Sequence, residues 1–279
     1  MKGKREETAA RSVMALKVVS YNLNRTDKAE ALRAFLREIE DADVYCFQLI
    51  SREVLGAVKE ELGYAYADIF AGTGDGFGLA SVTRLPVDPS IAKEHHEVED
   101  REGGSPGTTF ALTCVVRPPF GGSLAVTNAH LANTSEDARL RQIGELVGDG
   151  EGAAGDESLI VGDFNALCRS DYSDGEWDSL VSVAAERNWE PRREDAYQLM
   201  ASNHLDACQS HGGSTGAREL RTYDLDLGED RPEGERVAAL RLDYLFLSRK
   251  SRLRPTSFLV HRSIDVSNHF PIACSLTVQ

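Results

Sequence analysis

Asp43-Val44-Tyr45-Cys46-Phe47-Gln48-Leu49 is a short apolar strand that runs into a polar edge, and its reading decides the fold. Other segments share this build: Ser20-Tyr21-Asn22-Leu23-Asn24, Thr127-Asn128-Ala129-His130-Leu131, Gly162-Asp163-Phe164-Asn165, Arg241-Leu242-Asp243-Tyr244 and Ser267-Asn268-His269-Phe270-Pro271. In each, an apolar strand meets a brief polar signature. Strands that end on one edge of a sheet bring such signatures together from distant parts of a chain, on a rigid scaffold. Gly162-Asp163-Phe164-Asn165 alone reads as readily as a turn after a strand. The whole ordered set does not.

Outward from these segments, hairpins alternate with helix crossovers. Leu16 to Tyr21 reads as a buried first strand. Asp27 is placed to cap a helix over Lys28 to Glu40, whose Leu32, Phe35, Leu36 and Ile39 share one face. Arg52 to Leu62 reads as a second helix, ended by Gly63. Strands follow near Tyr64–Phe70 and Phe77–Val82. Glu102 to Gly107 reads as a flexible loop. Thr108–Val116 and Ser123–Leu131 alternate apolar and polar residues around Pro118-Pro119-Phe120-Gly121-Gly122, a hairpin signal. Ser135 to Val147 reads as a helix with an acidic start that suits its dipole. Leu159–Asp163 is a buried strand, Trp177–Asn188 a helix, and Arg241–Leu247 and Phe270–Thr277 the last strands. The pattern predicts a mixed α/β domain of two packed sheets with helices outside.

The chain has 279 residues, which fits one large α/β domain at least as well as two small ones. Residues 1–13 are expected to be a disordered tail and 14–279 one domain. With 41% hydrophobic and 27% charged residues it can bury an ordinary core. No apolar run approaches the roughly 20 residues that span a bilayer. The polar start, Met1 to Ser12, lacks the apolar stretch of a secretory signal. Lys2-Gly3-Lys4-Arg5 is compatible with a nuclear address, but a solvated tail is the simpler reading. Cys46, Cys114, Cys168, Cys208 and Cys274 are widely spaced and odd in number, with no metal-binding pair. That fits a reduced intracellular compartment, cytoplasmic or nuclear. The net charge of −14 opposes loose binding to nucleic acid, which needs Lys and Arg to neutralise phosphates. A locally basic groove or a small phosphorylated substrate stays open. The acidic stretches Gly148–Glu157, Asp171–Asp178 and Asp224–Glu235 read as solvated surface.

Taken together, the polar signatures resemble the endonuclease/exonuclease/phosphatase superfamily, over Val18 to Leu276. The resemblance implies a four-layer α/β sandwich and hydrolysis of a phosphoester with Mg2+ or Mn2+. The substrate would be a small molecule, a lipid headgroup or a nucleic acid. It also implies roles. His269 would be the general base or the imidazole that contacts phosphate, and Asp243 the carboxylate that holds its tautomer. Asp163 and Asn165 would position the water and contact phosphate or metal. Asn22 would support both, His130 would donate to a phosphate oxygen, and Asn128 and Asn268 would help to bind substrate. Asn-x-His-Leu at 128–131 is more like the deoxyribonuclease, sphingomyelinase and phosphatase branches than the abasic-site branch. Arg139 and Gln142 match a pattern common in those branches, and a solvated helix face accounts for them equally well.

The chain departs from that pattern at the metal. The family's second strand ends Gln-Glu, and here Leu49 follows Gln48. The last motif reads Ser-Asp-His in the family, and here Asn268 replaces the Asp. Some branches carry an Asp where Asn24 stands. Magnesium requires anionic oxygens in strict octahedral geometry, so Asn22, Asp163 and Asn165 are expected to hold a metal weakly. Glu53 is the nearest acid in sequence to the gap, and its helix position argues against its reaching. Two functions remain open. One is a phosphoester hydrolase, a phosphodiesterase, nuclease or phosphatase, working by in-line water attack with impaired or atypical metal use. The other is a catalytically inactive member that binds or scaffolds a protein partner.

Some features are set aside. His95 and His96 read as a solvated pair. Gly72 to Gly78 lacks the Lys-Ser/Thr of a phosphate loop and reads as a hairpin. Trp177 and Trp189 read as core residues. Thr222-Tyr223-Asp224 precedes Asp243 as in many family members, where that loop lies near substrate. Specificity would reside in the loops Asp88–Gly107, Arg169–Trp177 and Ala201–Arg221.

Overall fold

A computed structural model describes residues 15–39, 42–63, 68–72, 75–96, 109–150, 156–211, 217–223, 240–264 and 266–279. The expected tail, the loop Glu102 to Gly107 and the acidic stretch Asp224–Glu235 lie outside the described residues.

One sheet contains β1 (Leu16–Asn22), β2 (Val44–Ser51), β3 (Asp68–Gly72), β4 (Phe77–Thr83), β11 (Leu253–Val260) and β12 (Ile272–Val278). Its order is β11-β12-β1-β2-β4-β3. The other contains β5 (Val87–His96), β6 (Thr109–Val116), β7 (Leu124–His130), β8 (Glu157–Asp163), β9 (His204–Asp206) and β10 (Asp243–Ser248), in the order β5-β6-β7-β8-β10-β9. Both are mixed: β1 runs parallel to β2 and β7 to β8, and their other neighbours are antiparallel.

The apolar clusters lie in separate layers. Val18, Val44, Cys46, Cys114, Val126, Leu159, Leu245 and Cys274 form one cluster drawn from both sheets. Helices α1 (Ala29–Glu38) and α2 (Arg52–Leu62) bury Leu32, Phe35, Val54 and Val58 against Tyr21, Tyr45 and Phe47 of the first sheet. Helices α3 (Glu136–Gly150) and α5 (Asp195–Asn203) bury Ile143, Tyr197 and Met200 against Ile160, Tyr244 and Phe246 of the second. Between them in sequence, α4 (Asp174–Glu186) packs Leu180 and Val183 on Leu240 and Leu242. This is the expected four-layer α/β sandwich of two packed mixed sheets flanked by helices.

Several local expectations are corrected. Asp27 does not cap α1: Lys28 holds that place and no side chain caps it. Ser51 does cap α2, and Gly63 ends it in the left-handed conformation. Part of the expected loop Asp88–Gly107 belongs to the edge strand β5, and His95 is buried with its ring nitrogen 3.1 Å from Thr113 Oγ1. Part of the expected loop after Ala201 is β9 with a short helix, α6 (Ala207–Ser210). Asp171 is buried, not solvated. It lies 3.2 Å from Arg241, whose guanidinium also bonds both oxygens of Asp206 at 2.7 and 2.9 Å. Removing one partner of such a buried cluster costs about 3–5 kcal/mol, so it holds the entry to β10 firmly. Among the described residues, no helix is long and apolar enough to cross a membrane.

Candidate active site

Strand polarity gathers the site. β7 and β8 are parallel and pair His130 with Asp163, while β10 runs antiparallel to β8 and pairs its first residue, Asp243, with the same Asp163. Three polar side chains therefore stand side by side on three strands. Across the sandwich, β1 ends at Asn22, paired with Gln48. Tyr223 bridges Leu240 and His269, which brings the last motif to the same edge.

Two unusual backbone positions make the convergence close. Gly162 has φ +143, and a Cβ there would fall 1.9 Å from the Ala129 carbonyl oxygen. Only glycine fits. Leu49 has φ +52, in a bulge where β2 carries one residue more than β4 between Phe47 and Ile50. A leucine held there costs about 1–3 kcal/mol. Backbone bonds from Leu23 and Arg25 to the carbonyls of Gln48 and Leu49, at 2.9 and 3.2 Å, hold the bulge. The bulge leaves Leu49 lining a cavity of about 520 Å³ together with Asn22, His130, Asp163 and His269.

Asp163 is the hub. Its Oδ2 accepts a 2.8 Å bond from Asn22 Nδ2 and lies 3.7 Å from Nε2 of both His130 and His269. Its Oδ1 accepts from the Asn165 N–H at 2.9 Å. His269 Nδ1 lies 2.9 Å from Asp243 Oδ2, with both residues buried. Tyr223 packs edge-on against the His269 ring at 4.8 Å. Burial opposes a charge on His269, but the carboxylates of Asp243 and Asp163 outweigh it, and the imidazole pKa is raised. His130 moves the other way. Burial pulls its pKa down, Asp163 resists, and His269 and Arg25 add to the fall. One imidazole is thus biased towards the charged form and its neighbour towards the neutral form, the separation that acid–base chemistry uses.

Asn24, Asn165 and Asn268 also line the cavity. Asn128 does not. It is wholly buried, accepts from Gln48 Nε2 at 2.7 Å, and donates to the carbonyls of Phe47 and Ala80 at 3.0 Å. Its hydrogen bonds are spent pinning one sheet to the other, so it is not available to bind substrate as expected. Arg139 and Gln142 are buried rather than solvated. Arg139 bonds Glu136, Glu190 and the Ala132 carbonyl, and Gln142 accepts from the Ala132 N–H. Trp189 is 37% exposed and lines the cavity, contrary to a core role. The sequence missed Glu136, Glu190 and Arg192 as cavity residues, because no strand-end signature marks them.

Asp163, Asp243 and His269 offer ligand atoms within 4.8 Å of one another. Most of these atoms already have a local partner, and the exception is Asp243 Oδ1, which is buried without a hydrogen bond. Asp243 Oδ2 faces His269 Nδ1, both Asp163 oxygens accept hydrogen bonds, and Asn22 Oδ1 accepts from the Asn24 N–H at 2.9 Å. The hydrocarbon of Leu49 stands on the same wall. Glu53 is exposed on α2 and lines a different cavity, with Arg25 and Arg33.

The family model described as "Endonuclease/Exonuclease/phosphatase family" matches residues 19–269. Similar solved structures share the fold at low identity. One is an endonuclease/exonuclease/phosphatase from Bacteroides vulgatus, with 15% identity, TM-score 0.63, and 95% of this chain and 99% of that one covered. Another is a functionally unknown conserved protein from Enterococcus faecalis V583, with 18% identity, TM-score 0.65, and 95% and 100% covered. A third is D. rerio TDP2 complexed with single strand DNA product, with 17% identity, TM-score 0.60, and 95% and 99% covered. No curated protein matches the chain.

Proposed function

Because the chain belongs to the endonuclease/exonuclease/phosphatase family, whose members hydrolyse phosphoester bonds, we propose that it is itself a phosphoester hydrolase acting by in-line water attack. The observation that carries this reading is one buried carboxylate, Asp163, set 3.7 Å from two imidazoles, one of them oriented by Asp243. Decay of an active site would not be expected to preserve that arrangement, since the sandwich core does not need it.

A phosphoester is anionic and repels a nucleophile, so the site must withdraw charge from phosphate and take a proton from water. Asp163 is the carboxylate nearest the space between the imidazoles, and it accepts the proton of the attacking water. His130 and Asn165 donate hydrogen bonds to the phosphate oxygens. His269, held by Asp243 and biased towards its protonated form, stabilises the phosphorane-like transition state and gives a proton to the leaving alkoxide. Asn22, fixed to Asp163, keeps the hub oriented. Asn268 and Asn24 are at hand for the remaining polar atoms of the substrate.

The donor set does not suit the family's metal. Magnesium needs anionic oxygens, Leu49 supplies none, and both Asp163 oxygens and Asp243 Oδ2 are engaged with protein groups, which leaves Asp243 Oδ1 as the one uncommitted carboxylate oxygen of the cluster. Metal use is therefore impaired or atypical, and the proton transfers above fall to this chain's own residues. The same Leu49 favours a second reading, a fold kept for binding a protein partner without catalysis. D. rerio TDP2 in its complex holds a single-strand DNA product, which keeps nucleic acid among the candidate substrates with small phosphoesters and lipid headgroups. All five cysteines are free and buried, in accord with a reducing cytoplasmic or nuclear setting.

Hydrolysis of an aryl phosphodiester tests the proposal, with magnesium, manganese or chelator, against His269→Ala. Turnover lost in the variant supports the hydrolase. Equal rates in both proteins under every condition reject it in favour of the scaffold.

A further inference from the structure

The same cavity is also lined by residues that follow α4, Asn188 to Arg193. Its lining cations are Arg139, Arg192 and Arg193. Arg139 is paired with Glu136 and Glu190, and Arg193 with Asp137 and Asp195. Arg192 differs. Among the described residues it forms no salt bridge, and Glu190 acts on it only through its field. Its Nε is buried and unpartnered. Leaving a buried charged donor unmatched is unfavourable, and in a chain of net charge −14 an unpaired arginine on a cavity wall is unexpected.

The segment is built to hold Arg192 there. The guanidinium lies over the Trp189 ring, 5.2 Å from its centroid, and the ring also receives Arg187 at 5.2 Å. Such contacts orient a guanidinium without neutralising it. Glu190, between Trp189 and Arg192, accepts from the Glu136 N–H at 2.7 Å and from Arg139 at 2.9 Å. Those bonds tie the segment to the start of α3, which follows the strand carrying His130. Arg192 is therefore fixed relative to His130.

We propose that Arg192, held over Trp189, is a second anion-binding point of this cavity, so that the substrate carries a second phosphate or equivalent anion besides the group engaged by His130 and His269. This rests on the hydrolase reading for the role of the histidines, but not for the binding of the anion. Arginine suits the task because its planar fork meets two phosphate oxygens at once. Trp189 is a positioning residue. A second phosphate could come from a nucleic-acid strand or from an inositol headgroup, and the chemistry at Arg192 is the same.

The test is calorimetric binding to the full chain, in chelator and low salt, of two matched pairs. One pair is thymidine 5′-phosphate and thymidine 3′,5′-bisphosphate. The other is inositol 1-phosphate and inositol 1,4-bisphosphate. The wild type should prefer the bisphosphate of at least one pair by about tenfold, which is about 1.4 kcal/mol, and the preferred pair identifies the source. Arg192→Gln should bring the two members of that pair within about twofold of each other. Arg192→Lys should keep part of the preference, and Trp189→Ala should reduce it. Melting curves check that each variant is folded. No preference in either pair, absence of binding included, overturns the proposal. So does an equal loss for mono- and bisphosphate in Arg192→Gln, which would mark a structural role. A preference that depends on Arg192 in a protein that fails the aryl phosphodiester assay would leave the anion point standing and remove the hydrolase.

Discussion

His269 Nδ1 lies 2.9 Å from Asp243 Oδ2, and this single contact fixes which nitrogen of the imidazole faces the cavity. With Nδ1 committed, Nε2 is left towards Asp163 and Asn22, at 3.7 and 3.5 Å. The orienting logic is that of a hydrolase triad, in which the carboxylate selects the tautomer and stabilises the imidazolium.

Asp243→Asn should therefore lower kcat by about 10²–10⁴-fold, the usual worth of a positioned acid or base, with KM changed far less. Steady-state kinetics on the aryl phosphodiester would check this. An unchanged kcat would remove His269 from the chemistry.

Leu49→Glu should raise kcat/KM in magnesium by at least about tenfold and make the activity sensitive to chelator, since losing even a group that supports a metal ligand costs about 10–100-fold. The comparison is rates with magnesium and with chelator for both proteins. If the variant gains nothing, metal use has been lost through more of the site than Leu49.

Gly162→Ala should destabilise the protein by more than the about 1–3 kcal/mol of backbone strain alone, because the new Cβ would fall 1.9 Å from the Ala129 carbonyl oxygen. The next residue is Asp163, so activity should fall as well. Denaturant unfolding with an activity assay reads both. A neutral result would mean that β7 and β8 can part without loss.

At the far end of β8, Glu157 supplies a pH-dependent part of stability. Burial pushes its pKa up, but hydrogen bonds from Ser251 and Arg252 outweigh that, and the pKa is lowered. A carboxylate depressed in the folded state stabilises fully above its unfolded value, about 4.3, and loses that contribution as pH falls through the folded value. Glu157→Gln should cost about 1–3 kcal/mol at pH 7. The difference from wild type should vanish in strongly acidic buffer. Urea unfolding across pH measures it, and a gap independent of pH would assign the effect to packing.

Most of the strands that sequence could read are interior ones, the edge strand β3 being the exception. β1, β2, β7, β8, β10 and β12 are buried on both sides and appear as apolar runs. Val87–His96 and Leu253–Val260, which escaped, are the edge strands β5 and β11. An edge strand has one side open to water and tolerates proline, as at Pro89 and Pro255, so its pattern resembles a loop. Trp189 was misread for a related reason: burial of an aromatic follows from what packs on it, and nothing local records that.

By itself the sequence determined the polar strand ends, their order along the chain, the mixed α/β pattern, and the absence of a glutamate after Gln48. Those are local properties, set by periodicity and by which residue types a strand end can satisfy. Tertiary structure alone decided that His130, Asp163 and Asp243 stand in register, that Asn128 pins the sheets instead of meeting substrate, and that Arg192, laid over Trp189, lines the cavity without a salt bridge among the described residues. Each of these depends on contacts through space between residues far apart in the chain, and only packing fixes those.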